Sequence, residues 1–243
     1  MTIEISESAG VRSLHFGTPW IQGSMRIARP WALELEYTRD MLLPLLLHPV
    51  GTWPRSVLMI GLGAGALLKF LHRHVPACTL TAVEIDQAVI VAAQQHFRVP
   101  SADPRVRIVC GDAFEWIGSD RERYDLILAD GFDLNARAHR LESAAFYGAC
   151  KARLAEVGWL SCNLLTLHRS HAATRRALHS VFDSGLSMLP ACAEGNVVAV
   201  ASAGAAFAAE GWRDFPALRE AARGLRRQTG LNLLPLLSRI EQA

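Results

Sequence analysis

From Ser56 onward, short apolar or β-branched runs alternate with stretches that have helical periodicity. Alternation of this kind is typical of βαβ units, in which helical crossovers join parallel strands. The pattern therefore predicts an α/β protein with a mainly parallel sheet flanked by helices. The predicted strands are residues 56–60, 78–84, 105–110, 124–129 and 158–163, and the predicted helices are residues 65–74, 86–96, 141–154 and 168–183.

The last two apolar runs differ from the earlier ones in the length of their connection. Residues 186–192 and 196–202 are separated by only a few polar residues, too few for a helical crossover. We therefore expect an antiparallel hairpin at the edge of the sheet. Five parallel strands followed by an antiparallel pair is the layout of the class I methyltransferase-like, or Rossmann-like, fold.

The pattern divides the chain into three predicted parts. Residues 1–50 are expected to form a short hairpin at 11–23, around a Gly-Thr-Pro turn, and a helix over 31–48. Residues 51–205 are predicted to be a Rossmann-like domain. Residues 206–243 are predicted to be a helical extension of one or two amphipathic helices on the outside.

Three glycines lie where the first predicted strand meets the first helix. Gly61, Gly63 and Gly65 belong to the segment GLGAGA, and glycines leave room for a ligand to approach backbone N–H groups. Glu84 follows nineteen residues after Gly65 at the end of the second strand, with Ile85 next to it. An acid at that position suits the two hydroxyls of a ribose.

Further acids follow the third and fourth predicted strands. Asp112 comes just past the third strand, where a carboxylate can accept from the amine of an adenine, and Asp130 and Asp133 follow the fourth. Ligands of such sheets bind beyond the carboxyl ends of the strands. We therefore expect an adenosine site, which makes residues 51–205 a nucleoside-binding domain. NAD is a weaker alternative because Asp112 and the Asp130/Asp133 pair would have no role with it.

Asp130 and Asp133 suggest amine chemistry. Two carboxylates three residues apart can face one small cavity, where they bind a protonated amine or accept its proton. Phe132 lies between them and is a candidate wall of that cavity. The alternative for Asp133 is a structural one, as the N-cap of the following segment.

Composition is ordinary for a soluble globular enzyme, and a cytoplasmic setting is the default expectation. The net charge is only +2, and we interpret the arginine clusters on helical stretches as solvated faces, so nucleic-acid binding is not expected. The five cysteines have no CxxC spacing, which argues against a zinc site or a disulfide framework. The first residues lack a signal-peptide pattern, and no apolar run is long enough to span a membrane.

Several segments in order resemble the spermidine synthase (polyamine aminopropyltransferase) family, of which the chain looks like a divergent member. The similarity runs from about Leu14 to Ser202. The segments that carry it are WIQG, DML, VLMIGLGAGALLKFL, AVEIDQAVI, DPRVRIVCGDAFEWI, YDLILADGFD and FYGACKARLAEVGWLSCNL.

The resemblance implies which residues would hold each part of the bound substrate that donates the aminopropyl group. Gln22 would contact the nucleoside thioether end, Glu84 the ribose, and Asp112 with Ala113 the adenine. The donor would be decarboxylated S-adenosylmethionine, used as a co-substrate without any tightly bound cofactor or metal.

The resemblance also implies the reaction. Asp130 would accept a proton from the attacking amine, and Asp133 would help to hold a diamine or polyamine such as putrescine. The neutral amine would attack the carbon next to the sulfonium, and 5′-methylthioadenosine would leave. A homodimer is a possible assembly.

Departures from the family pattern keep other functions open. Ala64 stands where the family's GGGDGG loop has an acid, which would hold the donor's ammonium and repel a carboxylate. The family's Tyr-His/Gln-Glu segment is Thr38-Arg39-Asp40 here, so Arg39 could pair with the carboxylate of intact S-adenosylmethionine. These departures favour, as alternatives, an S-adenosylmethionine-dependent methyltransferase or a nucleoside-binding protein without turnover.

Overall fold

Seven strands form the central sheet of the protein. The computed structural model describes residues 2–18, 20–48, 51–132, 138–166, 171–204 and 214–243. The strands of this sheet are β4 (Ser56–Ile60), β5 (Thr79–Glu84), β6 (Val106–Cys110), β7 (Tyr124–Ala129), β8 (Leu154–Leu165), β9 (Leu186–Met188) and β10 (Asn196–Ser202). Their order is β6-β5-β4-β7-β8-β10-β9.

The strand directions confirm the predicted fold. Strands β4 to β8 pair in parallel, whereas β10 pairs antiparallel with both β8 and β9. The edge strand β9 is shorter than the predicted run over 186–192. Pro190 follows it and has no N–H to donate, so the ladder cannot continue through that residue.

Helices cover both faces of the sheet. Those that connect its strands are α2 (Ala66–His74), α3 (Gln87–His96), α4 (Ala113–Ser119), α5 (Ala144–Arg153) and α6 (His171–Phe182). The sequence pattern missed α4, which has only seven residues. The side chain of Asp112 defines its start, because Oδ1 accepts from the N–H of Phe114 at 2.7 Å.

Alternating side chains of the strands face two apolar cores. On β4, Val57 and Met59 belong to one buried cluster, whereas Leu58 and Ile60 belong to the other. The period of two residues is that of a strand covered on both faces. Every residue of β10 is buried, which agrees with its position inside the sheet.

The N-terminal residues form a separate three-stranded antiparallel sheet. Its strands are β1 (Glu4–Ser8), β2 (Val11–His15) and β3 (Gly23–Arg26), in that order. The predicted hairpin over 11–23 contains β2, but the strand that pairs with it, β3, begins only at Gly23 and extends beyond the predicted range. The pattern missed β1, because this edge strand reads EISES and four of its five residues are exposed.

The single helix predicted over 31–48 is wrong. The structure has instead a five-residue helix, α1 (Glu36–Asp40), and a 3-10 helix over Leu43–Leu47. Pro44 lies at the start of the 3-10 helix, since proline lacks an N–H and is not tolerated inside an α-helix. Leu43, Leu45 and Leu46 of this segment are buried in the core cluster that contains Val57, and the partly buried Leu47 packs against it.

Two C-terminal helices pack against that same cluster. They are α7 (Phe215–Thr229) and α8 (Leu234–Gln242), and they contribute Leu218, Leu225 and Leu237 to it. None of the described helices has the length and apolar composition needed to cross a membrane.

Two glycines of the loop after β4 have a left-handed backbone conformation and lie very close to neighbouring residues. Gly61 has φ +88°, and a Cβ there would overlap the main-chain oxygen of Asp130. Gly65 has φ +65°, and a Cβ there would overlap Cγ2 of Val99. Residues with side chains avoid this backbone region, so both positions favour glycine.

We predict that Gly65→Ala lowers the free energy of unfolding by about 2 kcal/mol or more, because of backbone strain and overlap with Val99. Urea titration measures the loss. The double variant Gly65→Ala/Val99→Ala should be less destabilised than the sum of the single variants.

The matched control for this test is Gly118→Ala in α4. Gly118 has no positive φ, and a Cβ there meets nothing within 4 Å. This substitution should leave stability unchanged or raise it by about 0.5 to 1 kcal/mol. If Gly65→Ala is as stable as Gly118→Ala, position 65 does not impose the predicted backbone strain and overlap with Val99.

Candidate active site

A cavity of about 940 Å³ lies beyond the carboxyl ends of β4, β5, β6 and β7. Strand order reverses between β4 and β7, and open α/β sheets bind ligands in the crevice at such a point. The size falls in the range of small-molecule sites. Its polar and glycine lining includes Gln22, Glu34, Tyr37, Gly61, Gly63, Glu84, Asp86, Asp112, Asp130, Arg140, Asn163, Glu194 and Asn196.

Glu84 is a buried carboxylate that holds the glycine loop. Its Oε2 accepts from the N–H of Leu62 at 2.9 Å, and its Oε1 accepts from the N–H of Asp86 at 3.1 Å. Burial raises the pKa of Glu84, and the backbone N–H donors oppose that rise. Each carboxylate oxygen can accept a second hydrogen bond, so hydroxyls of a ligand could bind beside these two amides.

Residues expected to hold a nucleoside line the same cavity from several directions. Asp112 and Ala113 lie at the start of α4, and Ile85 directly follows Glu84 at the end of β5. Ile85 is 70% exposed, so its apolar side chain is available to pack against a planar ring. Gln22 approaches from the N-terminal sheet, where its main-chain oxygen lies close to Gly63.

Asp130 is held by two side-chain donors. The Tyr37 hydroxyl donates to Oδ2 at 3.2 Å, and Asn163 Nδ2 donates to Oδ1 at 2.8 Å. Asn196 in turn donates from Nδ2 to Oδ1 of Asn163 at 2.9 Å, which fixes the amide. One carboxylate oxygen is therefore oriented by α1 and the other by β8.

Burial raises the pKa of Asp130 to about 6, and hydrogen bonds from Asn163 and Tyr37 moderate the rise. Burial and the charge of Asp130 hold the pKa of Tyr37 well above its ordinary value. Tyr37 therefore remains a hydrogen-bond donor at neutral pH, while Asp130 is ionised and able to accept a proton.

The charged lining of the cavity is mainly acidic. Arg26 pairs with Glu34 through two hydrogen bonds of 2.9 and 2.7 Å, and Arg140 lies 3.7 Å from Asp112. Among the described residues, the other four lining carboxylates have no ion pair; they are Glu84, Asp86, Asp130 and Glu194. This distribution of charge suits a cationic ligand.

Three of the predicted site residues are not placed in the cavity. Gly65 packs against Val99 at the start of α2 and is absent from the lining. Arg39 donates to the main-chain oxygens of Leu33 and Glu34 at 3.1 and 3.4 Å. Asp133 lies outside the described residues.

The helical periodicity of α1 explains the position of Arg39. Two residues along a helix correspond to a rotation of about 200°. Because Tyr37 faces Asp130, Arg39 lies on the opposite side of α1 from the cavity. The expectation that Arg39 contacts a donor carboxylate therefore finds no geometric support.

Ala64 lies at the boundary between the cavity and an apolar cluster. It lines the cavity, yet only 2% of its surface is exposed, and its buried neighbours include Met25 and Phe97. A Cβ on Gly23 would lie 2.7 Å from the Cβ of Ala64, so β3 packs directly onto the loop here. This close packing favours a small residue at position 64.

Four cavity residues were not predicted from the sequence: Tyr37, Asn163, Asn196 and Glu194. Asn163 carried a usable signal, because a polar amide inside the apolar run over β8 must find a hydrogen-bond partner. The other residues come from segments whose packing is not visible in any local pattern.

Among the described residues, one group offers a metal-binding geometry. Ligand atoms of Glu36, Cys192 and Glu194 lie within 4.8 Å of one another. However, the Glu36 carboxylate accepts from Ala193 N and pairs with Arg239, and Glu194 Oε1 accepts from the N–H of Glu36. These contacts already engage both carboxylates, so we interpret the group as a structural junction.

Comparisons with known proteins show which family the sequence resembles. Residues 34–193 match the model of the spermine/spermidine synthase domain. A polyamine aminopropyltransferase of Chromobacterium violaceum is 32% identical over 240 residues, covering 99% of this chain and 89% of the relative. One from Neisseria meningitidis is also 32% identical, covering 82% of this chain and 75% of the relative.

Solved structures share the fold. A probable spermidine synthase from Corynebacterium glutamicum has a TM-score of 0.72 at 19% identity, covering 95% of this chain and 91% of its own. Human methyltransferase-like protein 13, in complex with SAH, has a TM-score of 0.70 at 24% identity, covering 81% and 93%. The structures show a common fold, and the sequence matches identify the family: this chain belongs to the spermine/spermidine synthase family.

Proposed function

We propose that this protein is an aminopropyltransferase that moves the aminopropyl group of decarboxylated S-adenosylmethionine to a primary amine of a diamine or polyamine. The observation that carries the proposal is the Asp130 carboxylate, held by Tyr37 and Asn163 next to the glycine loop in an acid-lined cavity. The sequence similarity to polyamine aminopropyltransferases supports it.

In the proposed donor position, the adenosine lies across the ends of β4 to β6. The ribose hydroxyls bind Glu84, the adenine edge meets Asp112 and Ala113, and Gln22 contacts the thioether end. The sulfonium and its aminopropyl tail then point toward the ends of β4 and β7, where Asp130 lies. Binding there fixes the reacting carbon close to the acceptor amine.

The proposed reaction is a direct displacement. The lone pair of the amine attacks the propyl carbon, the bond between that carbon and sulfur breaks, and its electron pair stays on sulfur. Asp130 accepts the proton that the attacking nitrogen loses. The products are the elongated amine and neutral 5′-methylthioadenosine.

The acidic lining supports the decarboxylated donor over the intact amino acid. Decarboxylated S-adenosylmethionine carries a sulfonium and an ammonium, both attracted by Asp130 and Glu194. A donor carboxylate would face these same acids. Among the described lining residues, the guanidinium of Arg140 is engaged with Asp112 and Glu115 and is not free for that carboxylate.

Ala64 supports a second candidate, an S-adenosylmethionine-dependent methyltransferase. The absence of an acid at this position removes one local element of repulsion against a donor carboxylate. The two candidates differ in donor and in product, so a single set of measurements separates them.

We predict that decarboxylated S-adenosylmethionine binds at least about tenfold more tightly than the intact form, because one carboxylate fewer enters the acidic cavity. Isothermal calorimetry with both donors measures the ratio, and 5′-methylthioadenosine provides the reference for the shared adenosyl part. Incubation with putrescine should yield methylthioadenosine and spermidine. Tighter binding of the intact donor together with a methylated product would favour the second candidate.

We predict that Asp130→Asn lowers kcat by about a hundredfold or more, because the amide cannot accept the proton. In the wild-type protein, kcat/KM should fall as the pH decreases through about 6, where Asp130 becomes protonated. Methylthioadenosine affinity should stay within about twofold, since the adenosine lies elsewhere. The matched control is Asp183→Asn in an exposed turn after α6, which should keep full activity.

The same variant has a predicted effect on stability. Asp130 has a folded pKa of about 6, above its ordinary value of 3.8, so the folded wild type loses stability as the pH rises from 3.8 to 6. Asp130→Asn lacks this loss. Its melting temperature relative to wild type should therefore increase over that interval and then level off. A constant difference would contradict the burial of this charge.

A further inference from the structure

The C-terminal helix reaches back to α1 through one arginine. The two terminal nitrogens of Arg239 donate separately to Glu36 Oε1 and to Asp40 Oδ2, and both contacts are ion pairs. Because Glu36 and Asp40 are four residues apart, one planar guanidinium spans a full turn of α1. The Asp40 side chain is only 5% exposed, so this contact is largely shielded from water.

The helix α1 depends on such external contacts. It has five residues, and its N-cap, Leu35, provides no side-chain hydrogen bond. Isolated helices much shorter than about 12 residues are marginal in water. Besides Arg239, the turn between β9 and β10 contributes, since Glu194 Oε1 accepts from the N–H of Glu36 at 2.9 Å.

Tyr37 lies within the turn that Arg239 spans. Its hydroxyl donates to Asp130 Oδ2, whereas Arg239 itself does not line the cavity. We propose that Arg239 is a positioning residue: by pairing with Glu36 and Asp40 it fixes α1 so that Tyr37 stays hydrogen-bonded to Asp130. The C-terminal helix would thereby control the geometry of a carboxylate that Arg239 itself does not contact.

Other contacts hold α8 itself in place. Leu236 and Leu237 are buried in the main core, and Arg219 of α7 pairs with Glu241 of α8. Loss of Arg239 should therefore release α1 and leave α8 docked. Arg219→Gln is the matched control, because it removes an arginine ion pair of α8 that does not involve α1.

The first test does not need an active enzyme. Carbon NMR of the side-chain carboxyl follows the titration of Asp130, assigned by loss of the signal in Asp130→Asn. Tyr37 of α1 and Cys162 of β8 face this carboxyl, and Glu194 lies near Tyr37. The pKa of Tyr37 is well above its ordinary value and that of Cys162 is about 12, so neither titrates in the range used.

We expect Tyr37→Phe and Arg239→Gln to shift the pKa of Asp130 in the same direction. Tyr37→Phe removes a donor to the ionised form, which raises the pKa of Asp130. Arg239→Gln should raise it in the same direction, and the double variant should resemble Tyr37→Phe alone, because both changes remove one interaction. Arg219→Gln should leave the pKa at the wild-type value.

The second test rests on the proposed function and uses turnover. Arg239→Gln should reduce kcat by about ten- to a hundredfold, as expected for a misplaced reacting group. Affinity for methylthioadenosine should stay within about twofold. Arg239→Lys should recover part of kcat through one ion pair. If the wild type transfers no aminopropyl group, the proposed function fails, and the titration still decides the role of Arg239.

Two outcomes would overturn the role of Arg239. One is an Arg239→Gln protein that folds and keeps the wild-type pKa of Asp130. The other is a shift in the Asp130 pKa of Arg239→Gln that adds fully to the shift caused by Tyr37→Phe when the two variants are combined. If Arg239→Gln does not fold, Arg239→Met/Asp40→Asn replaces it, because this pair removes the contact without leaving Asp40 as a buried unpaired charge. If the pKa of Asp130 in that double variant equals the wild-type value, the proposal is equally refuted.

Discussion

The close approach of the glycine loop to the end of β7 determines the geometry of the whole site. The Asp130 N–H donates to the oxygen of Ile60 at 2.8 Å, and the missing Cβ of Gly61 leaves room for the Asp130 oxygen. A larger residue at position 61 would separate β4 from β7 at the point where the strand order reverses. The nucleoside end and the amine end of the cavity would then no longer lie side by side.

Burying carboxylates at this junction has an energetic cost, and the fold offsets it with neutral donors. Glu84 receives two backbone amides, and Asp130 receives a phenol and an amide. Neutral donors stabilise the charged form without cancelling its field. The cavity consequently remains electronegative toward a cation, which a lining of arginine partners would prevent.

The sequence predicted those parts of the site that depend on strand order alone. Glu84 ends a recognisable strand, and Asp112 and Asp130 each follow one. Parallel strands must bring their carboxyl ends to one edge. Pro44 was a readable signal that the long helix before β4 could not continue. The position of Arg39 was not predictable, because the face that a short helix presents depends on its packing against the rest of the molecule.

The same distinction explains why the contacts around Asp130 could not be read from local patterns. Tyr37 lies 93 residues from Asp130 in the chain, and Arg239 lies 203 residues from Glu36. Both contacts end on α1, a helix of five residues that is too short to define its own position. Since α1 gains its place from the C-terminal helix and from the turn before β10, the orientation of Asp130 is a property of the complete fold.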